Sequence, residues 1–241
     1  MNKVLRVDLS EGTHKVEPLE AELRSSFIGG RGVAVRMLCD EVDPRIDPLI
    51  PENKLILATG PLTGTGAITG CKYVVVTKSP LTGAIATSSS EGFFGSKLKY
   101  AGYDMLVVEG RAEEPVYIDI SDGKVEILPA AHLWGLSTSE TVDLIYARMH
   151  DKWRARDTSV ACIGPAGEKL ARLASIVNDR HWAASRSGVG AVMGSKNLKA
   201  VAVYGTQDMA LASGKPFMDL IQGFLEQVKT MPLSSKTMPE Q

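Results

Sequence analysis

GFFGSKLKYAGYDMLVVEG, at residues 92–110, and AVMGSKNLKAVAVYG, at residues 191–205, share one order of features: a Gly-Ser-Lys segment and then an apolar run that ends in glycine. An earlier apolar run precedes each stretch and ends in a Gly-Pro pair, at Gly60-Pro61 and at Gly164-Pro165. A strand, a Gly-Pro loop, a second strand, a Gly-Ser-Lys helix and a third strand therefore occur twice. A unit that recurs in this way predicts two halves related by a pseudo-two-fold axis, with a ligand or an interface between them.

The two copies span residues 54–110 and 158–205. In the first copy, KLILAT at 54–59, YVVVT at 73–77 and MLVVEG at 105–110 are continuous apolar runs, which predict central strands buried on both faces. Chance similarity between two strand–helix–strand pieces is the alternative, since apolar strands and glycine before a helix are common in α/β proteins.

Hairpins and helices are predicted around these strands. KVLRVDL at 3–9 alternates apolar and polar residues and is followed by a turn, which predicts an opening β-hairpin. Asp122-Gly123, between VYIDI and KVEIL, predicts a second, outer hairpin. Ser137 and Glu140 form a capping box for a helix that we expect to connect the two halves. Apolar residues at helical spacing from Phe217 to Val228 predict an amphipathic helix.

Composition and charge exclude several classes of protein. The chain has 241 residues, 44% of them hydrophobic and 23% charged, and a formal net charge of −1. No field of one sign draws it to nucleic acid or to an anionic membrane. Its first residues lack the apolar run of a signal peptide and no stretch has the length of a membrane span, so we expect a cytoplasmic protein. Its three cysteines are too few and too scattered for a disulfide framework.

Candidate binding segments occupy equivalent places in the two copies. Residues 87–92 precede the first Gly-Ser-Lys segment and residues 183–188 precede the second. Unsatisfied N–H groups at a helix amino terminus bind anions, so each segment is interpreted as a cradle for a phosphate or a hydrogen-bonding heterocycle, with a plain helix cap as the alternative. Phosphate-loop, dinucleotide-binding, GxSxG and HExxH motifs are missing from the sequence.

Several segments of the chain resemble those of a known family. GPLTGTGAITG, VVVTKSPLTG, FFGSKLKYAGYDMLVVEG, IGPAGE and RSGVGAVMGSKNLKAVAV are similar to segments of the amino-terminal domain of the tungsten-containing aldehyde:ferredoxin oxidoreductases, from about residue 4 to about residue 210. The resemblance implies an α+β fold of two β-sheets related by a pseudo-two-fold axis, with flanking helices. It also implies that the sheets form the base of a site for a tungsten or molybdenum bis-pterin, whose metal is held by pterin sulfurs and not by the protein.

The resemblance further implies which residues contact the cofactor. Backbone carbonyls near Ser89 and Ala183 are expected to face a magnesium ion that bridges the cofactor phosphates. No catalytic and no protein metal-ligating residue is expected in this chain. Matched by position, the contacts fall on Lys72, Ser89, Glu91, Trp182, Ala183, Ser185 and Arg186.

Several of these positions depart from the usual residues of the family. The family has arginine where this chain has Lys72 and Trp182, asparagine at Ser89, and glycine at Glu91 and Ser185. Lysine is a point charge and tryptophan has a single N–H, whereas arginine offers a planar fork of donors. Side-chain hydrogen bonds to the cofactor are therefore expected to differ, while backbone contacts are preserved.

The implied activity is the oxidation of an aldehyde to a carboxylic acid, with electrons passed to ferredoxin. In the family a [4Fe–4S] cluster is held by four cysteines of later helical domains, and Cys39, Cys71 and Cys162 match none of them. We therefore expect residues 1–210 to bind the cofactor and residues 211–241 to be a helix and linker toward a helical iron–sulfur domain.

Expected partners are those helical domains or a partner subunit, ferredoxin or another electron-transfer protein, a small aldehyde, and a second copy in a homodimer.

Two alternatives stay open at the level of sequence. One is a separately encoded, non-catalytic module that binds a pterin or a partner chain. The other is a generic nucleotide-binding α/β domain, which the missing fingerprints disfavour.

Overall fold

A computed structural model describes residues 2–149 and 151–230 and contains two six-stranded mixed β-sheets with flanking helices. The first sheet has the strand order β2-β1-β6-β3-β4-β5. Its strands and the helices that accompany it are β1 (Lys3–Asp8), β2 (Thr13–Pro18), α1 (Ala21–Phe27), α2 (Gly30–Glu41), β3 (Leu55–Thr59), β4 (Tyr73–Lys78), β5 (Ile85–Ser90), α3 (Phe94–Tyr100) and β6 (Met105–Glu109).

The second sheet has the strand order β11-β10-β9-β12-β7-β8. A short 3-10 turn at Ala131–Leu133 follows its hairpin, and the last helix of the described chain is α8 (Gly214–Thr230). The other elements are β7 (Val116–Ser121), β8 (Lys124–Pro129), α4 (Thr138–Arg148), α5 (Lys152–Asp157), β9 (Ser159–Cys162), α6 (Pro165–Glu168), β10 (Ile176–Asn178), β11 (Trp182–Ala184), α7 (Val189–Ser195) and β12 (Leu198–Tyr204).

The two sheets have the same topology, which confirms the predicted fold of two related halves. In each half the first strand of a hairpin pairs in parallel with the last strand of the half, β1 with β6 and β7 with β12. The remaining pairings are antiparallel in both sheets. The Gly-Ser-Lys segments lie in or directly after α3 and α7, which occupy equivalent places before β6 and β12.

The structure corrects the predicted boundaries of the repeat. Each half begins with its hairpin, so the halves span about residues 3–109 and 116–204. The hairpin β7–β8 is the counterpart of β1–β2, and the capped helix α4 lies inside the second half instead of connecting the halves. The parallel pairing that joins each hairpin to its half links strands distant in sequence, and no local pattern of residues encodes it. The Ser137 capping box itself is present as predicted.

The main core lies between the two sheets. Apolar residues of β3 and β4, of α3 and α7, and of β12 belong to one buried cluster, among them Leu57, Val75, Phe94, Val192 and Val201. Helix α2 covers the outer face of the first sheet and α4 that of the second, each through its own buried cluster. The central strands are thus apolar on both faces because each sheet is covered on both sides, although their pairing is largely antiparallel.

The lysines of the two Gly-Ser-Lys segments link the halves reciprocally. Lys196 of the second half is fully buried and donates to the carbonyls of Pro51 and Asn53, which precede β3, and to that of Gly110. Lys97 of the first half forms a 2.6 Å ion pair with Asp157, which precedes β9. Lys196 thus contacts the segment before β3, and Lys97 contacts the segment before β9. Strands β3 and β9 occupy equivalent places in the two halves.

Helix α8 follows the second sheet and has no buried residue. Its apolar side chains include Met218, Leu220, Phe224 and Leu225, all exposed. The amphipathic helix predicted from Phe217 to Val228 is confirmed, whereas the predicted linker at 231–241 lies outside the described residues. Within the described part of the chain, no helix has both the length and the apolar character required to cross a bilayer.

Candidate functional site

The edge strands β5 and β11 of the two sheets lie beside each other. Each is the terminal strand of its sheet. The backbone N–H of Arg186, just after β11, donates to the Ser88 hydroxyl in β5 at 3.0 Å, and the Ser79 hydroxyl after β4 donates to the carbonyl of Ser187 at 2.8 Å. The segments around Ser89 and Ala183, which are 94 positions apart in the sequence, are thereby brought to one place in the fold.

A buried asparagine holds the two edges together. Asn178, the last residue of β10, is fully buried. Its amide group donates to the carbonyl of Glu91 at 2.8 Å, and its side-chain oxygen accepts from the hydroxyls of Ser90 at 2.6 Å and Tyr73 at 3.1 Å. Burial raises the pKa of Tyr73, which keeps its hydroxyl a donor. Every hydrogen-bonding position of the amide is used, because its second N–H donates to the carboxylate of Asp179.

The turn between β10 and β11 fits closely against the end of β5. Asp179 accepts a 2.6 Å hydrogen bond from the backbone N–H of Phe93. Asp179 and Arg180 both have positive φ, 49° and 65°, which is a left-handed turn. Gly92 also has positive φ, and a Cβ at this position would lie 2.6 Å from the Trp182 ring and 2.5 Å from the Asp179 carboxylate. Only glycine permits this approach of the two edges.

All seven residues expected to contact the cofactor lie at or beside the meeting edges. Six of their side chains are exposed and that of Glu91 is half-buried. Lys72 directly precedes β4, Ser89 is in β5 with Glu91 just after it, Trp182 and Ala183 are in β11, and Ser185 and Arg186 follow it.

The local structure predicted for these segments was wrong. Residues 87–90 and 183–184 are strand, and the helices that follow are capped by Phe93 and Gly188 without side-chain hydrogen bonds. Runs of small polar residues occur both in edge strands and at helix caps. The residue types in these segments therefore do not distinguish a strand from a cap. The exposed binding groups are therefore those of sheet edges, where alternate backbone N–H and C=O groups point outward.

Two of the residues that depart from the family pattern pair with each other. The Lys72 ammonium lies 2.9 Å from the Glu91 carboxylate, and this hydrogen bond raises the pKa of Lys72. In this chain the carboxylate of Glu91 is matched by the charge of Lys72. Since the Lys72 side chain is exposed and that of Glu91 is only half-buried, solvent screens the pair and weakens it.

A cleft of about 460 Å³ adjoins this surface on the first sheet. Its walls include the start of α2, the loop after β3, Lys72 and Ser89, and they contain two cations, Arg31 and Lys72, and no carboxylate. A terminal nitrogen of Arg31 lies 3.5 Å from the Ser89 hydroxyl.

Sequence reasoning missed Asn178 and Arg31, and it included Ser88 only as a member of the candidate segment 87–92. Asn178 and Ser88 act through contacts between distant segments, which no local pattern shows. Arg31 lies in the glycine-rich stretch at residues 29–32, where no local pattern marks a binding residue.

The exposed groups fit the cofactor that the resemblance implies. Hydroxyl, indole and guanidinium donors, at Ser89, Trp182 and Arg186, together with outward backbone groups of two strand edges, suit phosphate oxygens and a hydrogen-bonding heterocycle. Gly92 lets the two edges close into a continuous base. Among the described residues no three His, Cys, Asp or Glu side chains group as a metal site.

Comparison with known proteins agrees with this geometry. Residues 4–205 match the family described as aldehyde ferredoxin oxidoreductase, N-terminal domain. The tungsten-containing aldehyde ferredoxin oxidoreductase of Pyrococcus furiosus is 49% identical over 238 residues, and that of Pyrococcus horikoshii is 48% identical over the same length. In both cases the match covers 99% of this chain and 39% of the relative.

Two further matches carry other names. The aliphatic sulfonate oxidoreductase, WOR-like subunit, of Pyrococcus furiosus is 36% identical over 85% of this chain and 34% of its own length. The structure of the active-site complex BamBC of benzoyl coenzyme A reductase with 1,5-dienoyl-CoA matches with a TM-score of 0.90 and 39% identity, over 95% of this chain and 34% of that chain. The chain spans about two fifths or less of the length of the proteins it matches. It belongs to the aldehyde ferredoxin oxidoreductase family and corresponds to the N-terminal domain of that family.

Proposed function

We propose that this chain forms the base on which a tungsten or molybdenum bis-pterin lies, in an enzyme that oxidises an aldehyde to a carboxylic acid and passes the electrons to ferredoxin. The observation that carries the proposal is the meeting of the β5 and β11 edges, because a cofactor with two pterins needs equivalent surfaces from both halves. Relatives named as tungsten-containing aldehyde ferredoxin oxidoreductases, at 47 to 49% identity, support the metal and the substrate class.

The cofactor, when bound, supplies the two-electron redox chemistry. The residues of this chain bind and orient it. Ser89, Trp182, Ser185 and Arg186 would offer hydrogen bonds to it, and backbone carbonyls near Ser89 and Ala183 would hold the magnesium ion that accompanies its phosphates. Lys72 and Glu91 act as a pair whose net charge is close to zero, so side-chain recognition at this corner is weaker than an arginine would give.

Electron relay and acid/base chemistry are assigned to other parts of the complete protein. We propose that residues 1–210 are the cofactor-binding domain and that 211–241 lead to helical domains that hold a [4Fe–4S] cluster. The end of the family match at residue 205 and the exposed apolar face of α8 support this division. Ferredoxin or a similar electron carrier, a homodimeric assembly and a cytoplasmic location complete the proposal.

A non-catalytic pterin-binding or subunit-interaction module is the alternative. The proteins matched with lower identity carry names of other substrates, an aliphatic sulfonate and a coenzyme A thioester. We therefore place substrate choice outside this domain, whose exposed surface recognises the cofactor.

The test is purification of the complete gene product from its own organism, with measurement of tungsten, molybdenum and pterin per chain and of aldehyde-dependent reduction of a viologen dye. Metal and pterin with turnover are expected. Metal and pterin without turnover on any aldehyde would favour a different substrate or the non-catalytic module, and absence of both would contradict cofactor binding.

A further inference from the structure

We propose that Arg31 binds a phosphate group of the cofactor, in the cleft between the start of α2 and the β5 edge. This inference rests on the proposed function and adds a binding residue that the family resemblance did not indicate.

The charge of the cleft is the first observation. Its walls carry the cations of Arg31 and Lys72 and no carboxylate, in a chain whose formal net charge is −1. A cleft with low-dielectric walls and one sign of charge attracts an ion of the opposite sign. Because Lys72 is paired with Glu91, the unpaired charge in this cleft is that of Arg31, and it favours an anion as the ligand.

The two cations, Arg31 and Lys72, differ in whether a carboxylate pairs with them. Lys72 is 2.9 Å from Glu91 and is neutralised by it. Arg31 forms no ion pair with any residue in the described ranges, and its exposed guanidinium has one hydrogen bond, to the Ser89 hydroxyl. At 3.5 Å this bond is at the limit of hydrogen-bond distance and occupies one of five N–H donors. Arg31 is thus the cation with free capacity.

The position of Arg31 connects it to the predicted phosphate site. Ser89 is the residue whose backbone carbonyl is expected to face the phosphate-bridging magnesium, and Arg31 contacts its side chain. A guanidinium binds two phosphate oxygens at once through parallel N–H groups, which a lysine does not. Arg31 therefore supplies, from α2, the planar fork that position 72 lacks.

The experiment compares Arg31→Gln with Arg36→Gln in the complete gene product, made in a host that synthesises the tungsten pterin. Arg36 lies on the same helix, is also exposed and pairs with Asp40, and it does not line the cleft. Tungsten is measured by mass spectrometry and pterin by fluorescence after oxidative release, before and after dialysis against about 1 M salt, which screens exposed charges. Circular dichroism and thermal unfolding verify that each variant is folded.

Arg31→Gln is expected to retain about tenfold less pterin and tungsten after dialysis, as loss of one charge-assisted contact predicts, while Arg36→Gln matches the wild type. Arg31→Lys keeps the charge and is expected to retain more than Arg31→Gln. Equal retention by Arg31→Gln and Arg36→Gln, in a background whose wild type carries the cofactor, would overturn the assignment and leave the proposed function intact. Retention by Arg31→Lys equal to that of the wild type would overturn the role of the planar guanidinium, and a wild type without tungsten or pterin would overturn both proposals.

Discussion

Asn178 shows how a single side chain sets the geometry of the candidate site. It is fully buried and joins the end of β5 to the hairpin β10–β11 through hydrogen bonds to Glu91, Ser90 and Tyr73. A buried polar group without a partner costs about 1 to 3 kcal/mol, so each of these bonds depends on the others being present. The meeting of the two edges is therefore cooperative.

Asn178→Ala is expected to lower the free energy of unfolding by about 3 kcal/mol, because it leaves buried hydroxyls and a carbonyl without partners. Urea unfolding followed by circular dichroism measures this. Ser185→Ala, at an exposed position of the same surface, is the control and is expected to change stability by less than about 0.5 kcal/mol. A loss below about 1 kcal/mol for Asn178→Ala would show that this cluster does not fasten the edges.

The buried side chain of Lys196 gives a second prediction for a single residue. Burial lowers its pKa to about 8, from 10.5 in the unfolded chain. Between these values the unfolded chain binds more protons than the folded chain, so stability from this group rises as pH increases from about 8 to 10.5. Lys196→Met removes that slope and also leaves the carbonyls of Pro51, Asn53 and Gly110 without their donor.

We therefore expect Lys196→Met to be destabilised by about 3 kcal/mol at pH 7, with a gap to the wild type that widens above pH 8. Chemical unfolding at a series of pH values measures it. Lys215→Met, on exposed α8, is the control. A gap that narrows with rising pH would contradict the lowered pKa.

At the scale of elements, α8 differs from every other long helix of the described chain. The helices α2 and α4 bury residues against the sheets, whereas α8 buries none and exposes Leu220 and Phe224. Exposed apolar patches of this kind mark a surface for another polypeptide. In this fold the helix adds little to the stability of the two sheets.

Replacing both Leu220 and Phe224 by glutamine is expected to leave the thermal midpoint of the 241-residue chain within about 2 °C, because neither side chain is buried. The same double change is expected to reduce self-association, measured by analytical ultracentrifugation. Leu57→Ala, in the core strand β3, is the contrasting variant and is expected to cost about 2 to 5 kcal/mol. A large loss of stability in the glutamine variant would mean that α8 packs on its own domain.

For the whole molecule, the duplicated topology creates the site. Two copies of one six-stranded sheet place equivalent edge strands side by side, and reciprocal lysines fix the relation between the copies. The site is thus a property of the pair of halves and is absent from either half alone.

The isolated 241-residue chain is expected to show no aldehyde-dependent reduction of a viologen dye and no iron–sulfur absorbance. A [4Fe–4S] cluster takes four thiolates, and the chain has three cysteines. Cys162 is buried, and burial raises the pKa of its thiol to about 12, so it is a poor thiolate ligand. Visible absorbance after anaerobic reconstitution with iron and sulfide, and dye reduction after loading with tungsten pterin, measure the two expectations. Turnover by this chain alone would move electron relay and catalysis into this domain.

The sequence by itself determined the local elements and the family. Continuous apolar runs specified β3, β4 and β6, turn residues specified both hairpins, and the Ser137 capping box specified the start of α4, because each depends on residues a few positions apart. The repeated Gly-Ser-Lys order revealed the duplication, and the ordered motifs placed the chain in its family. Each of these signals is either a pattern of residues close together in the sequence or a motif shared with the family. Neither kind of signal requires coordinates.

Only the tertiary structure decided where the halves begin and how the site is assembled. The parallel pairing of β7 with β12 makes the second hairpin part of its half, and this pairing closes a loop of about 80 residues. The Asn178 cluster, the pairing of Lys72 with Glu91 and the free charge of Arg31 likewise depend on contacts between segments far apart in sequence. The Asn178 cluster forms only after the two sheets pack together, whereas the contacts of Lys72 and Arg31 need neighbouring strands and a helix of one half to be assembled, so no pattern within one segment specifies any of them.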